Sequence, residues 1–247
     1  MNKKIILLSS LCTAMFFTGC QKQSVESEQT ASVASEQKPE QTPVIQSKTI
    51  PVKLPQQVYC EADECTEYEV STVETNVPWI NDYFEKRIRK DIPLAFKRST
   101  REQPASSPES TNSNTYVVDY LSQNNNLATF ILASSTYSAG AAHGMYHREY
   151  VVFDLTTHKR VMASDLYKPE DQPKVLEALY LANQNWLQEH GIEQGKLEPT
   201  DNFFYSSKGV VFVYPLYELG SYAEGMTELT LPYNMAQGLI KADYLPH

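Results

Sequence analysis

Two stretches with helically spaced apolar residues interrupt a chain otherwise written in short strands, and this order constrains the fold of residues 56–247 more than any other feature. Val58 to Val73 reads as two strands turning at a pair of cysteines. A helix follows. Pro78 suits a first turn, where its missing N–H is not needed, and Ile80, Phe84 and Ile88 recur every four residues with Trp79 and Tyr83 alongside. Thr115–Leu121 and Leu127–Thr136 read as a hairpin, and Tyr150–Asp154 as a further strand. Asp171–His190 carries a helical stripe of Val175, Leu179, Ala182 and Trp186, which Gly191 can end. Val210–Tyr214 and Thr227–Leu231 are later strands. The predicted class is α+β, a mainly antiparallel sheet with two long helices packed on it.

The N-terminus has a different character. Lys3 and Lys4 precede an apolar run from Ile5 to Phe17, then Thr18-Gly19-Cys20. A basic start, a short apolar stretch and small residues before a cut describe a secretory signal peptide over residues 1–19. The run is shorter than the roughly 20 apolar residues that span a bilayer. The cysteine after the small residues resembles a lipobox, with Phe17 where leucine is usual. That resemblance implies cleavage before Cys20, a lipid on Cys20 and attachment to a membrane. Gln21 rather than Asp follows the cysteine, which by the same resemblance implies the outer membrane, facing the periplasm.

Residues 20–55 are rich in Gln, Ser, Glu, Thr and Pro without an apolar period, so they are expected to be a lipidated, disordered tether. As a flexible coil it would span about 30 Å. A second polar stretch at 99–114 is expected to be a loop between a small α+β subdomain at 56–98 and a C-terminal α+β domain at 115–247.

Cys12 leaves with the signal and Cys20 carries lipid, so Cys60 and Cys65 remain. In an oxidising compartment such a pair reads as a disulfide. Its small loop limits the stabilisation to about 2 kcal/mol. Losing Lys3 and Lys4 leaves 19 basic against 30 acidic residues, a net charge of −11. Such a chain is a poor partner for nucleic acid and a fair one for cationic proteins, although plain solubility also explains the charge.

Three segments carry a family resemblance. The first runs from Tyr137-Ser138-Ala139-Gly140-Ala141-Ala142-His143-Gly144 to Glu149-Tyr150-Val151-Val152-Phe153-Asp154-Leu155. The second is Ser164-Asp165-Leu166-Tyr167. The third joins Phe203-Phe204, Lys208-Gly209-Val210-Val211-Phe212, Tyr214-Pro215-Leu216-Tyr217-Glu218-Leu219, Tyr222-Ala223-Glu224-Gly225 and Leu231-Pro232-Tyr233. Their order and spacing resemble the C-terminal domain of the RsiV anti-sigma factor, a domain similar to one in the peptidoglycan deacetylase PdaC. The family's usual Gly-Gly-Ala-His-Gly stands here as Gly140-Ala141-Ala142-His143-Gly144. The resemblance implies an extracytoplasmic α+β domain. Since RsiV senses lysozyme by binding it, it also implies a surface for the cell wall or a wall-degrading enzyme. Neither the deacetylase activity nor the sigma-factor role carries over.

Two loops hold the candidate binding residues. Gly140 and Gly144 permit close backbone approach, with Tyr137, His143 and Tyr146 around them; a tight strand connection is the alternative. Tyr214, Tyr217 and Tyr222 cluster around Pro215 and Gly220, offering large contact area at low entropy cost. A Tyr-rich core edge is the alternative there. Glu218, Glu224 and Glu228 add acidity suited to a cationic muramidase. The spacing of His143, His147 and Glu149 invites a metal or a Ser138–His143 pair, but no third ligand or Gly-x-Ser-x-Gly elbow accompanies them. No cofactor motif is evident. The first functional expectation is therefore a non-catalytic binding module for peptidoglycan or a wall-degrading enzyme. The second is an envelope hydrolase using His143 with Glu149 or Asp154 as acid and base. A purely structural envelope component is the third.

Overall fold

The computed structural model describes residues 42–62, 64–99 and 111–245. The expected signal peptide, the expected lipid at Cys20, the expected tether up to residue 41 and most of the expected loop at 99–114 lie outside the described residues.

Among the described residues ten strands form two sheets. The larger runs β1 (Ser47–Pro51), β3 (Glu64–Thr75), β4 (Asn112–Asn124), β5 (Leu127–Tyr137), β6 (Met145–Asp154) and β7 (Lys159–Val161), with β2 (Val58–Glu61) also paired to β3. All pairs are antiparallel except β3 with β4. Parallel neighbours need a crossover, and helix α1 (Pro78–Asp91) supplies it. The smaller sheet is antiparallel, in the order β10 (Thr227–Pro232), β9 (Gly209–Tyr214), β8 (Phe203–Tyr205). The class is the α+β one expected.

α1 starts at Pro78 and buries Ile80, Phe84 and Ile88. Phe84 meets Phe130 and Phe153 of the large sheet at ring-centroid distances of 5.3 and 5.8 Å. Each such fully buried side chain stabilises the fold by about 1.5–3 kcal/mol. The apolar run of β6 is explained by burial on both faces. Val151 and Phe153 join the core under α1, whereas Tyr150 packs with Val211 and Val213 of β9. Val210, Phe212 and Tyr214, on the other side of β9, share a core with Leu166 of α2 (Ala163–Leu166), Val175 and Leu179 of α3 (Gln172–Ala182) and Leu187 of α4 (Gln184–Glu189). The hairpin of β2 and β3 places Cys60 opposite Cys65, joined as the expected disulfide.

The segments expected at 56–98 and 115–247 share one sheet, since Thr66–Ser71 of β3 pairs directly with Asn112–Val117 of β4. Two expectations are corrected. The expected tether does not hold for residues 45–51, because Ile45 is buried and Ser47–Pro51 pairs with β3. The helix expected over 171–190 is broken at Asn183. Its side-chain amide donates to the Leu179 and Thr230 carbonyls, and its side-chain oxygen accepts the Thr230 N–H. Tertiary bonds to β10 thus compete with helix continuation. The break turns Leu187, rather than Trp186, fully into the core. Gly191, at φ +73°, follows α4 as expected. Among the described residues no helix is long and apolar enough to cross a membrane.

Candidate functional site

β5 and β6 remain paired out to Thr136 and Met145, so the 138–144 loop sits at the end of a long hairpin. The Ala141 N–H bonds the Ser138 carbonyl across a reverse turn whose third residue, Gly140, has φ +83°. Gly144 is required for another reason: a Cβ there would lie 2.7 Å from the Thr136 carbonyl oxygen.

The second loop, between β9 and β10, is brought to the first by the Gly144 carbonyl. That oxygen accepts the Tyr222 hydroxyl at 2.8 Å and His143 Nδ1 at 2.9 Å. Because a carbonyl only accepts, Nδ1 donates in this contact. The His143 and Tyr222 rings stack with centroids 4.3 Å apart. Tyr146 meets Tyr222 edge-on at 6.1 Å, and Tyr217 lies at 5.8 Å with its plane tilted 30°. Gly225, at φ +81°, passes so close to Tyr146 that a Cβ would stand 2.7 Å from its hydroxyl. Tyr137 is exposed and shares the sheet face of Tyr146, since Ser135 is opposite Tyr146 and Tyr137 follows by two. The structure therefore gathers His143, Tyr146, Tyr217 and Tyr222 about the Gly144 backbone, with Gly140 in the same loop and Tyr137 on the same face.

Tyr214 does not join them. It is fully buried and its hydroxyl donates to the Glu198 carbonyl at 2.8 Å, so the expectation of a binding residue is corrected to one of a core residue. Its place was readable, because Val210, Phe212 and Tyr214 alternate onto one face of a wholly apolar strand.

The loop is fixed from behind by a network that the sequence reading did not connect, joining Ser221 and Glu224 to His190 and Trp186. Tyr222–Glu224 is a single 3-10 turn closed by a capping box, in which the Glu224 carboxylate accepts the Ser221 N–H and hydroxyl. Its other oxygen meets His190 Nε2 at 2.5 Å. His190 Nδ1 donates to the Trp186 carbonyl, and its ring stacks on that indole at 3.7 Å. The Glu224 bond, then the Trp186 carbonyl, raise the His190 pKa. His190 and then Ser221 push Glu224 down to about 2. Ser221-x-x-Glu224 and the i, i+4 pair Trp186/His190 were the available signals.

The other nominated residues go elsewhere. His147 and Glu149 lie on the face of β6 opposite Tyr146. Glu149 is held by Arg87 and Arg160, each at 2.7 Å. Asp154 accepts from Asn126 and from the Thr156 and Thr157 amides; burial opposes ionisation, but these bonds hold its pKa below the usual range. Ser138 lies exposed in the reverse turn. Glu218 is raised by burial, then by Glu198. Among the described residues no three His, Cys, Asp or Glu side chains are grouped to hold a metal ion.

Residues 164–234 match a family model described as protein of unknown function (DUF3298). The matched segment contains the small sheet and the Tyr217–Gly225 loop. The fold is similar to that of a DUF3298 family protein from Pseudomonas aeruginosa, with a TM-score of 0.63 and 21% identity, covering 83% of this chain and 99% of that one. It is also similar to a DUF3298 family member from Bacteroides fragilis, with a TM-score of 0.56 and 14% identity, covering 82% and 96%. At these identities the shared property is the fold. A comparison with curated proteins finds no match.

Proposed function

We propose that this chain is an envelope lipoprotein, anchored through Cys20, whose folded part is a non-catalytic binding module for peptidoglycan or for a wall-degrading enzyme such as lysozyme. One observation carries the reading: loops from two different sheets meet at the Gly144 carbonyl and set a group of aromatic rings there, with His143 and Tyr217 exposed and Tyr146 and Tyr222 half-buried. The Thr18-Gly19-Cys20 signal supports the address, and the resemblance to the RsiV-like domain supports the class of partner. The carboxylates an acid–base hydrolase would use beside His143 are engaged elsewhere, Glu149 by two arginines and Asp154 by a turn.

Calorimetry of the purified protein against lysozyme and soluble peptidoglycan fragments, at two salt concentrations, tests the binding. Saturable heat with one of them is expected. Absence of heat with both, together with no recovery in a peptidoglycan pull-down, overturns the proposal. Fatty-acid labelling in the producing cell, lost in Cys20→Ser, tests the anchor.

A further inference from the structure

We infer that Tyr217 is the stacking platform of a carbohydrate subsite, taking the flat face of a neutral pyranose ring from an oligosaccharide. The inference rests on the binding-module reading and names its ligand chemistry.

Tyr217 has φ +68°, a left-handed conformation that glycine adopts freely and a tyrosine adopts at a cost. Such strain is ordinarily offset by burial of the side chain, yet Tyr217 is 56% exposed. Its ring contact is the tilted stack on Tyr222 at 5.8 Å, and no described residue bonds its hydroxyl. Glycine would serve the turn as well or better. The strained residue therefore contributes little to the fold beyond showing an aromatic ring to solvent.

The surroundings select the ligand. Glu224, on the same loop, is paired with His190. Glu218, the residue after Tyr217, is exposed and among the described residues pairs with no cation, so an anionic ligand is disfavoured beside the ring. A pyranose ring presents a face of C–H bonds, which packs on an aromatic face, and a rim of hydroxyls, which need partners. The Tyr217 hydroxyl is an open donor and acceptor, and the carboxylate of the adjoining Glu218 is a further acceptor. An apolar face ringed by a few fixed polar atoms is the arrangement that orients a polar small molecule.

The test titrates chitotetraose into the purified protein, with lysozyme in a separate arm, for the native chain, Tyr217→Phe and Tyr217→Gly. Native protein is expected to bind the tetrasaccharide saturably. Tyr217→Phe keeps the ring and is expected to bind within about threefold of native, whereas Tyr217→Gly loses about tenfold or more. The unfolding temperature of Tyr217→Gly is expected to be no lower than native, separating loss of a platform from loss of the fold. No saturable tetrasaccharide binding, or equal binding by Tyr217→Gly, overturns the inference. Lysozyme binding without sugar binding removes the carbohydrate subsite and leaves the binding module standing. Absence of both removes the two together.

Discussion

His190 and Glu224 are 34 residues apart in the chain, and their side chains meet at 2.5 Å. That contact ties helix α4 to the turn that carries Tyr222. The helix end is prepared for it, since Trp186 both stacks on the imidazole and fixes its Nδ1 proton.

The pair makes the loop pH-sensitive. The folded pKa of His190 is raised from 6.5, so its contribution to stability is complete below 6.5 and is lost as pH rises through the raised value. The folded pKa of Glu224 is lowered from 4.5 to about 2, so its contribution is complete above 4.5 and is lost as pH falls toward 2. Both are fully present between 4.5 and 6.5. Glu189 also favours the charged imidazole. The difference in unfolding temperature between native protein and His190→Gln should be widest in that window and shrink on both sides. A difference independent of pH would show that the contact acts without charge.

Glycine substitutions should separate the two glycines of the first loop. Gly144→Ala drives a Cβ to 2.7 Å from the Thr136 carbonyl and displaces the oxygen that holds His143 and Tyr222. It should cost about 1–3 kcal/mol and weaken ligand binding. At Gly140 a Cβ meets nothing within 4 Å, and only the positive φ opposes it. Gly140→Ala should cost about 1 kcal/mol. Denaturant titration of both variants checks the order.

Glu149→Gln should destabilise the protein by about 1–3 kcal/mol without altering ligand binding. The change leaves the partly buried Arg87 and Arg160 without their shared anion, and these side chains are 26% and 21% exposed. Measured binding that falls with Glu149→Gln while the fold persists would return this carboxylate to the functional site.

Asn183→Ala should loosen the edge strand β10. Asn183 bonds both backbone groups of Thr230, and its loss leaves them unpaired at a cost of about 1–3 kcal/mol. Faster amide exchange at Thr230, with Val118 unchanged, is the expected signature.

Local patterns were legible in the sequence and long-range partners were not. α1 was readable because Pro78 and the Ile80-Phe84-Ile88 spacing agree with each other. The β4–β5 hairpin and the β2–β3 turn were readable because their partners are adjacent in sequence. β1 was missed because Ser47-Lys48-Thr49-Ile50-Pro51 looks polar and gains its pairing from β3, residues 71–75. The helix break at Asn183 depends on Thr230, 47 residues away. Within the site, the glycines and tyrosines stood out by type and the alternation of β9 could set Tyr214 apart, but the meeting of Tyr222 with Gly144, 78 residues away, had no local signal. The His190–Glu224 contact carries no local signature on the His190 side beyond its spacing from Trp186.

The parallel pairing of β3 with β4 also sets an order of assembly. β4, β5, β6 and β7 are joined by short connections, so their contacts close small loops and can nucleate quickly. β3 can register beside β4 only after the intervening chain, with α1 in it, has been brought over the sheet. Folding rates should therefore respond more to Val118→Ala in β4 than to Ile80→Ala in α1, and the latter should chiefly accelerate unfolding. A stopped-flow comparison showing the reverse would mean that the crossover forms first.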